Sequence, residues 1–184
     1  AVAAAHEPGG VRGFFDLRPM LRANEEGYTP YTPALSLLFG LREALDMFAE
    51  EGLERVFARH AHLAAGVRAA VAAWGLELCA ARPELYSDTV SAVVVPEGAD
   101  ARRVIDLAFR RHDLALGGGL ARLAGRVFRI GHLGDVNELM LLGALAGVEM
   151  SLRDAGIAVT YGSGVAAAQT LWQERRAAAG DEPA

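Results

Sequence analysis

The chain has 184 residues, with 23 acidic side chains against 18 basic ones and a net charge of −5, and all 18 basic residues are arginine. An acidic chain without a densely basic run has no face for neutralising phosphodiesters, which argues against nucleic-acid binding. The absence of lysine removes Schiff-base chemistry and the phosphate-binding lysine of P-loops from what this chain completes alone. Hydrophobic residues make up 52% of the chain, yet no run approaches the ~20 apolar residues of a membrane helix. The lone Cys79 has no partner for an intrachain disulfide or a metal cluster, so a soluble protein of the cytoplasm is expected.

Residues 1–12 are small and broken by Gly and Pro, and are expected to be a linker or a cut end. Phe14–Asn24 predicts a short helix interrupted by Pro19. Pro30 and Pro33 then forbid continuous helix. Thr32 followed by Pro33 has the N-cap and N1 pattern for a long helix carrying Leu35, Leu38, Leu41, Leu45 and Phe48. Gly52 interrupts that pattern, and Leu53–Trp74 resumes it with Val56, His60, Leu63, Val67 and Val71 on one face. Beyond Gly75, strands are predicted over Leu76–Ala80 and Thr89–Val95, and a helix capped by Asp100 over Ala101–His112. Leu114–Leu116 and Arg126–His132 read as strands on either side of the run Gly117–Gly119. Asp135 is expected to cap a helix from Val136 to about Asp154, and a tail helix is expected over Val165–Ala177.

The order of elements predicts an α+β fold, with long helices followed by a small, mostly antiparallel sheet covered by helices on one face. The expected divisions are residues 1–33; 34–74, connecting helices; 75–160, a small α+β domain; and 161–184, a tail.

Arg129 is the chief candidate for chemistry. Alternation puts it on the strand face opposite Phe128 and Ile130, where a guanidinium suits bidentate binding of a carboxylate. The alternative is an arginine paired with a structural acid or pointing to solvent. Tyr28, Thr29, Tyr31 and Thr32 gather hydroxyls before a helix start, a setting suited to phosphate, although Thr32 as a simple cap accounts for the same pattern. His60 and His62, two apart, cannot chelate one metal as an i, i+4 pair would, and no metal ligands are expected. His132 reads as structural or as lining a pocket, and Gly117–Gly119 lacks the strand-to-helix context of a dinucleotide site.

Taken together, PYTP, LLFGLREALDMFAEEGLERVFARH, AWGLELC, YSDTVSAVVVPEG, VFRIGHLGDVNELMLLGALAGVEM and GSGVAAA, in order from about Arg12 to Gln169, resemble the C-terminal part of the serine–glyoxylate aminotransferases. These are class V, fold-type I pyridoxal-phosphate enzymes, and the resemblance implies that residues 1–33 are the end of the large cofactor-binding domain with its cofactor-phosphate loop. The resemblance implies that Arg129 binds the substrate α-carboxylate, and that Thr32 and Tyr28, with Tyr31 as the alternative tyrosine, reach the cofactor phosphate of the neighbouring subunit. It further implies a homodimer with shared active sites, acting on small amino-acid and 2-oxo-acid substrates. The Schiff-base lysine, the pyridinium partner and the ring-stacking aromatic would lie upstream, so no catalytic residue is expected in this chain and no activity from it alone. Gly117-Gly118-Gly119 departs from the Gly-Leu-Gly pattern of that branch. Two other expectations stand beside it: a class V relative with another amino donor, such as alanine, and a non-catalytic α+β interaction domain.

Overall fold

The computed structural model describes residues 16–180. The predicted linker and the start of the first predicted helix, at Phe14, lie outside them. The chain divides into two compact units at Gly52, whose φ of 83° ends one helical run and starts the next.

The first unit holds α1 (Leu17–Glu25) and α2 (Leu35–Glu51). Asp16 caps α1 by accepting from the Arg18 N–H, and Pro19 sits in the first turn, where its missing N–H breaks no helical bond. The expected capping of α2 by Thr32 does not occur. The helix starts at Leu35, and the Ala34 carbonyl accepts from Leu37 and Leu38. All the large apolar side chains of α2, from Leu35 to Phe48, are exposed.

The second unit runs α3 (Leu53–Ala73), β1 (Glu77–Leu78), β2 (Val90–Val94), α4 (Ala101–His112), β3 (Gly117–Gly118), β4 (Val127–Gly131), α5 (Glu138–Asp154) and α6 (Ser163–Ala179). The four strands form an antiparallel sheet in the order β1-β2-β4-β3, and helices cover one face. Val93 and Phe128 are paired across β2 and β4, as are Ser91 and Ile130, and all four are buried. Val56, His60, Leu63, Val67 and Val71 of α3 are buried as their spacing predicts. Leu141, Leu145, Val148 and Leu152 of α5 join the same core.

The predicted tail helix is longer than expected, and it packs into the core. Trp172 of α6 is 1% exposed and fills the notch at Gly66 of α3, where a Cβ would come within 2.1 Å of the indole. Trp74, just past α3, fills a matching notch at Gly164 of α6, with 2.4 Å between its Nε1 and a Cβ at that position. The two exchanges make α3 and α6 an antiparallel pair joined at two points. Each indole N–H has an acceptor, Trp172 in the His62 carbonyl and Trp74 in Glu149. Glu149, 2% exposed, also accepts from the Gly162 and Gly164 N–H groups, so a buried carboxylate satisfies the free donors at the start of α6.

Two local expectations are corrected. Asn137, not Asp135, caps α5, its Oδ1 accepting from Met140. The segment before it is held on α3, because Gly134 donates to His60 Nε2 while the Gly134 and Val136 carbonyls accept from Arg59; its backbone is committed to those bonds and cannot start the helix. Leu114–Leu116 is not a strand. Leu114 and Leu116 pack at the margin of the core, and the glycines after them join the ladder. Among the described residues no helix is long and apolar enough to cross a membrane.

Candidate functional site

The strand alternation that buries Phe128 and Ile130 turns Arg129 to the face without helices, as the sequence predicts. Its cross-strand neighbours are Ala92 on β2 and Gly117 on β3, small residues that leave the guanidinium space between them. Four arginines are half-buried among the described residues: Arg59, Arg68, Arg129 and Arg176. Arg59 donates to the Gly134 carbonyl, Arg68 pairs with Asp88, and Arg176 pairs with Glu138. Arg129 has neither a carboxylate nor a hydrogen bond among the described residues, and its Nε is buried without a partner. Leaving a buried donor unpaired costs about 1–3 kcal/mol, and more when it is charged. A cation in that state suits an anion, and its forked donors match the shape of a carboxylate. This geometry removes one of the two alternatives left by the sequence, a pairing with a structural acid among the described residues.

The other candidates fall in the first unit. Tyr28 is 72% exposed and Tyr31 54% exposed. Thr29 Oγ1 donates to the Tyr31 carbonyl, which folds the loop before α2 and commits that hydroxyl. Thr32 is exposed, three residues ahead of the helix, and α2 has no acidic residue in its first turn. Exposed hydroxyls ahead of such a helix start are a donor set that fits a phosphate. Arg129 belongs to the second unit.

Three of the described histidines, His60, His62 and His132, are tied into the fold by hydrogen bonds. His132 is fully buried, its Nδ1 bonded to the Asp88 carbonyl and its Nε2 to Ser91 Oγ. A carbonyl only accepts, so Nδ1 carries the proton and Ser91 donates to Nε2. Burial pushes the His132 pKa below its ordinary 6.5, outweighing the bond to Asp88, so the ring is held neutral. His60 is bound in the same tautomer, Nδ1 to the Val56 carbonyl and Nε2 accepting from Gly134. His62 stacks on Trp172 and bonds to Glu138, which also pairs with Arg176, tying α3, α5 and α6 together.

Sequence reasoning missed the role of Gly117. A Cβ there would lie 3.0 Å from Arg129 Nε, 3.2 Å from its Cβ and 3.3 Å from its Cζ. The signal is the glycine run itself, but only the strand register shows which glycine faces the arginine.

No protein-family model matches the chain. The chain is 58% identical over 164 residues to a serine–glyoxylate aminotransferase of Methylorubrum extorquens, covering 89% of this chain and 41% of that protein. It is 50% identical to an L-aspartate–glyoxylate aminotransferase of Paracoccus denitrificans, covering 97% of this chain and 44% of that protein. The crystal structure of ureidoglycine–glyoxylate aminotransferase from Bacillus subtilis superposes with a TM-score of 0.80 at 28% identity, over 94% of this chain and 44% of that one. The chain thus spans about two fifths of the length of the curated relatives it matches.

Proposed function

We propose that this chain, in sequence and fold a stretch of a class V, fold-type I aminotransferase, acts as the C-terminal part of an enzyme that moves the amino group of serine to glyoxylate. The observation that carries the reading is Arg129: a half-buried guanidinium with no counter-charge among the described residues, on the sheet face opposite the packed helices of its own unit. Both substrates of such a reaction carry a carboxylate next to the reacting carbon. An arginine fixed on a strand holds that carboxylate and so orients the bond to be broken, converting recognition into positioning. The same residue receives glyoxylate in the second half of the cycle, after hydroxypyruvate leaves, and glycine is then released.

Pyridoxal phosphate, when bound, supplies the electron sink for this chemistry. Tyr28 and Thr32 are the residues of this chain suited to its phosphate, and their exposure fits a role in the active site of a neighbouring subunit. The exposed apolar side chains of α2 support the same homodimer. With no lysine in its sequence, the chain contributes binding groups and not the amine that attaches the cofactor, so activity requires the remainder of the enzyme. Serine is preferred as donor on the strength of the matching sequence blocks. A panel of serine, alanine and aspartate on the intact enzyme tests that preference, and a higher kcat/KM with alanine or aspartate would refute it.

The assignment of Arg129 is tested by Arg129→Leu in the intact enzyme. Loss of a charge-assisted bond pair is expected to raise the amino-acid KM steeply and to lower kcat/KM by about 2 kcal/mol or more. Kinetics equal to the parent would overturn it.

A further inference from the structure

The three glycines of Gly117–Gly119 meet different surroundings. A Cβ on Gly119 would sit 2.2 Å from the Leu123 carbonyl oxygen, so that glycine is required by the backbone turn beside it. A Cβ on Gly118 would meet only Ile105 Cδ1, at 3.5 Å, an ordinary contact. A Cβ on Gly117 would touch Arg129 at its root, at Nε and at Cζ together. The side chain of Arg129 therefore lies along the bare backbone of β3, with its stem against the place where any other residue would carry a methyl group.

We propose that Gly117 is a positioning residue for substrate binding: the missing side chain opposite Arg129 lets the guanidinium lie against β3 and so fixes where the substrate carboxylate is held. The inference rests on the reading of Arg129 as the carboxylate ligand. A methyl group at position 117 would crowd Arg129 Nε at 3.0 Å and Cζ at 3.3 Å, closer than an ordinary contact, so the guanidinium end of the side chain has to give way. Either the guanidinium plane turns away or the edge strand withdraws, and both displace the donors. Gly118 faces Ile105 instead, so the neighbouring position supplies an internal control for any general effect of shortening backbone freedom in β3.

The test uses the intact enzyme and four variants: Gly117→Ala, Gly118→Ala, Arg129→Leu and the Gly117→Ala/Arg129→Leu double. Gly117→Ala is expected to raise KM for both the amino acid and the oxo acid roughly tenfold while changing kcat much less, the pattern of a displaced binding group. Gly118→Ala is expected to match the parent. In the Arg129→Leu background Gly117→Ala adds nothing further, because the residue acts only through the arginine. A crystal structure of Gly117→Ala gives a readout independent of turnover: the guanidinium is displaced relative to the parent. Parental KM values for Gly117→Ala beside an impaired Arg129→Leu would overturn the inference alone, as would a full additional loss in the double variant. Parental kinetics for Arg129→Leu would overturn the functional reading itself, and this inference with it. Should Gly117→Ala alone not fold, the double variant folds if the guanidinium is the obstacle, and its failure to do so overturns the proposal.

Discussion

Replacing glycine by alanine at Gly66 and at Gly143 is expected to move stability in opposite directions. Both residues lie inside helices, α3 and α5, where alanine is favoured over glycine by about 1 kcal/mol. At Gly143 nothing lies within 4 Å of the added Cβ, so Gly143→Ala should stabilise by about 0.5–1 kcal/mol. At Gly66 the same methyl would stand 2.1 Å from Trp172 Cε2 and 2.3 Å from Cζ2, and the indole must withdraw by more than an ångström. That ring is 1% exposed and bonded to the His62 carbonyl at 2.9 Å. Overpacking of this kind costs about 1–3 kcal/mol, and a strained part-buried hydrogen bond about 1–3 more; against a helix gain of about 1 kcal/mol, a net loss of about 1–5 kcal/mol remains. Urea unfolding followed by tryptophan fluorescence measures both, since the chain's two tryptophans, Trp74 and Trp172, line these contacts. A Gly66→Ala variant as stable as the parent, or more so, would refute the account of the paired notches.

Glu149→Ala strands the Trp74 indole and the Gly162 and Gly164 N–H groups and should cost about 3–5 kcal/mol in the same unfolding assay, where a loss below 1 kcal/mol would contradict the role given to the buried carboxylate. His132 has its pKa depressed by burial, so the unfolded chain takes up a proton first as pH falls. Its contribution is fully present above pH 6.5 and is lost as pH falls through the folded-state pKa. Unfolding midpoints at pH 7.5 and pH 5.5 should therefore differ more in the parent than in His132→Asn, and equal differences would dismiss the idea.

Much of this fold is written locally. The apolar spacing of α3 names its buried face, Asp100 caps α4 as its position suggests, and the alternation around Phe128 and Ile130 aims Arg129 correctly. The rest depends on contacts distant in sequence. Asp135 resembles a cap, but the bonds from Arg59 and His60 hold the segment off the helix axis until Asn137. Leu114–Leu116 has strand-like alternation, yet the ladder forms at Gly117 and Gly118, where β3 must come close to the Arg129 side chain. Gly66 and Gly164 carry no local signal, since what each accommodates is a tryptophan from the other helix. The candidate site shows the same division: the arginine was legible in its strand, and its glycine neighbour required the register.

The two tryptophan notches also govern when this unit completes itself during synthesis. Gly66 waits for Trp172, whose residue leaves the ribosome more than a hundred positions later, and Trp74 waits for Gly164. Until then α3 presents an unfilled surface to the cell, and contacts of such long sequence separation form slowly. Cutting the chain between α3 and α6 would leave the notch at Gly66 without the indole that fills it.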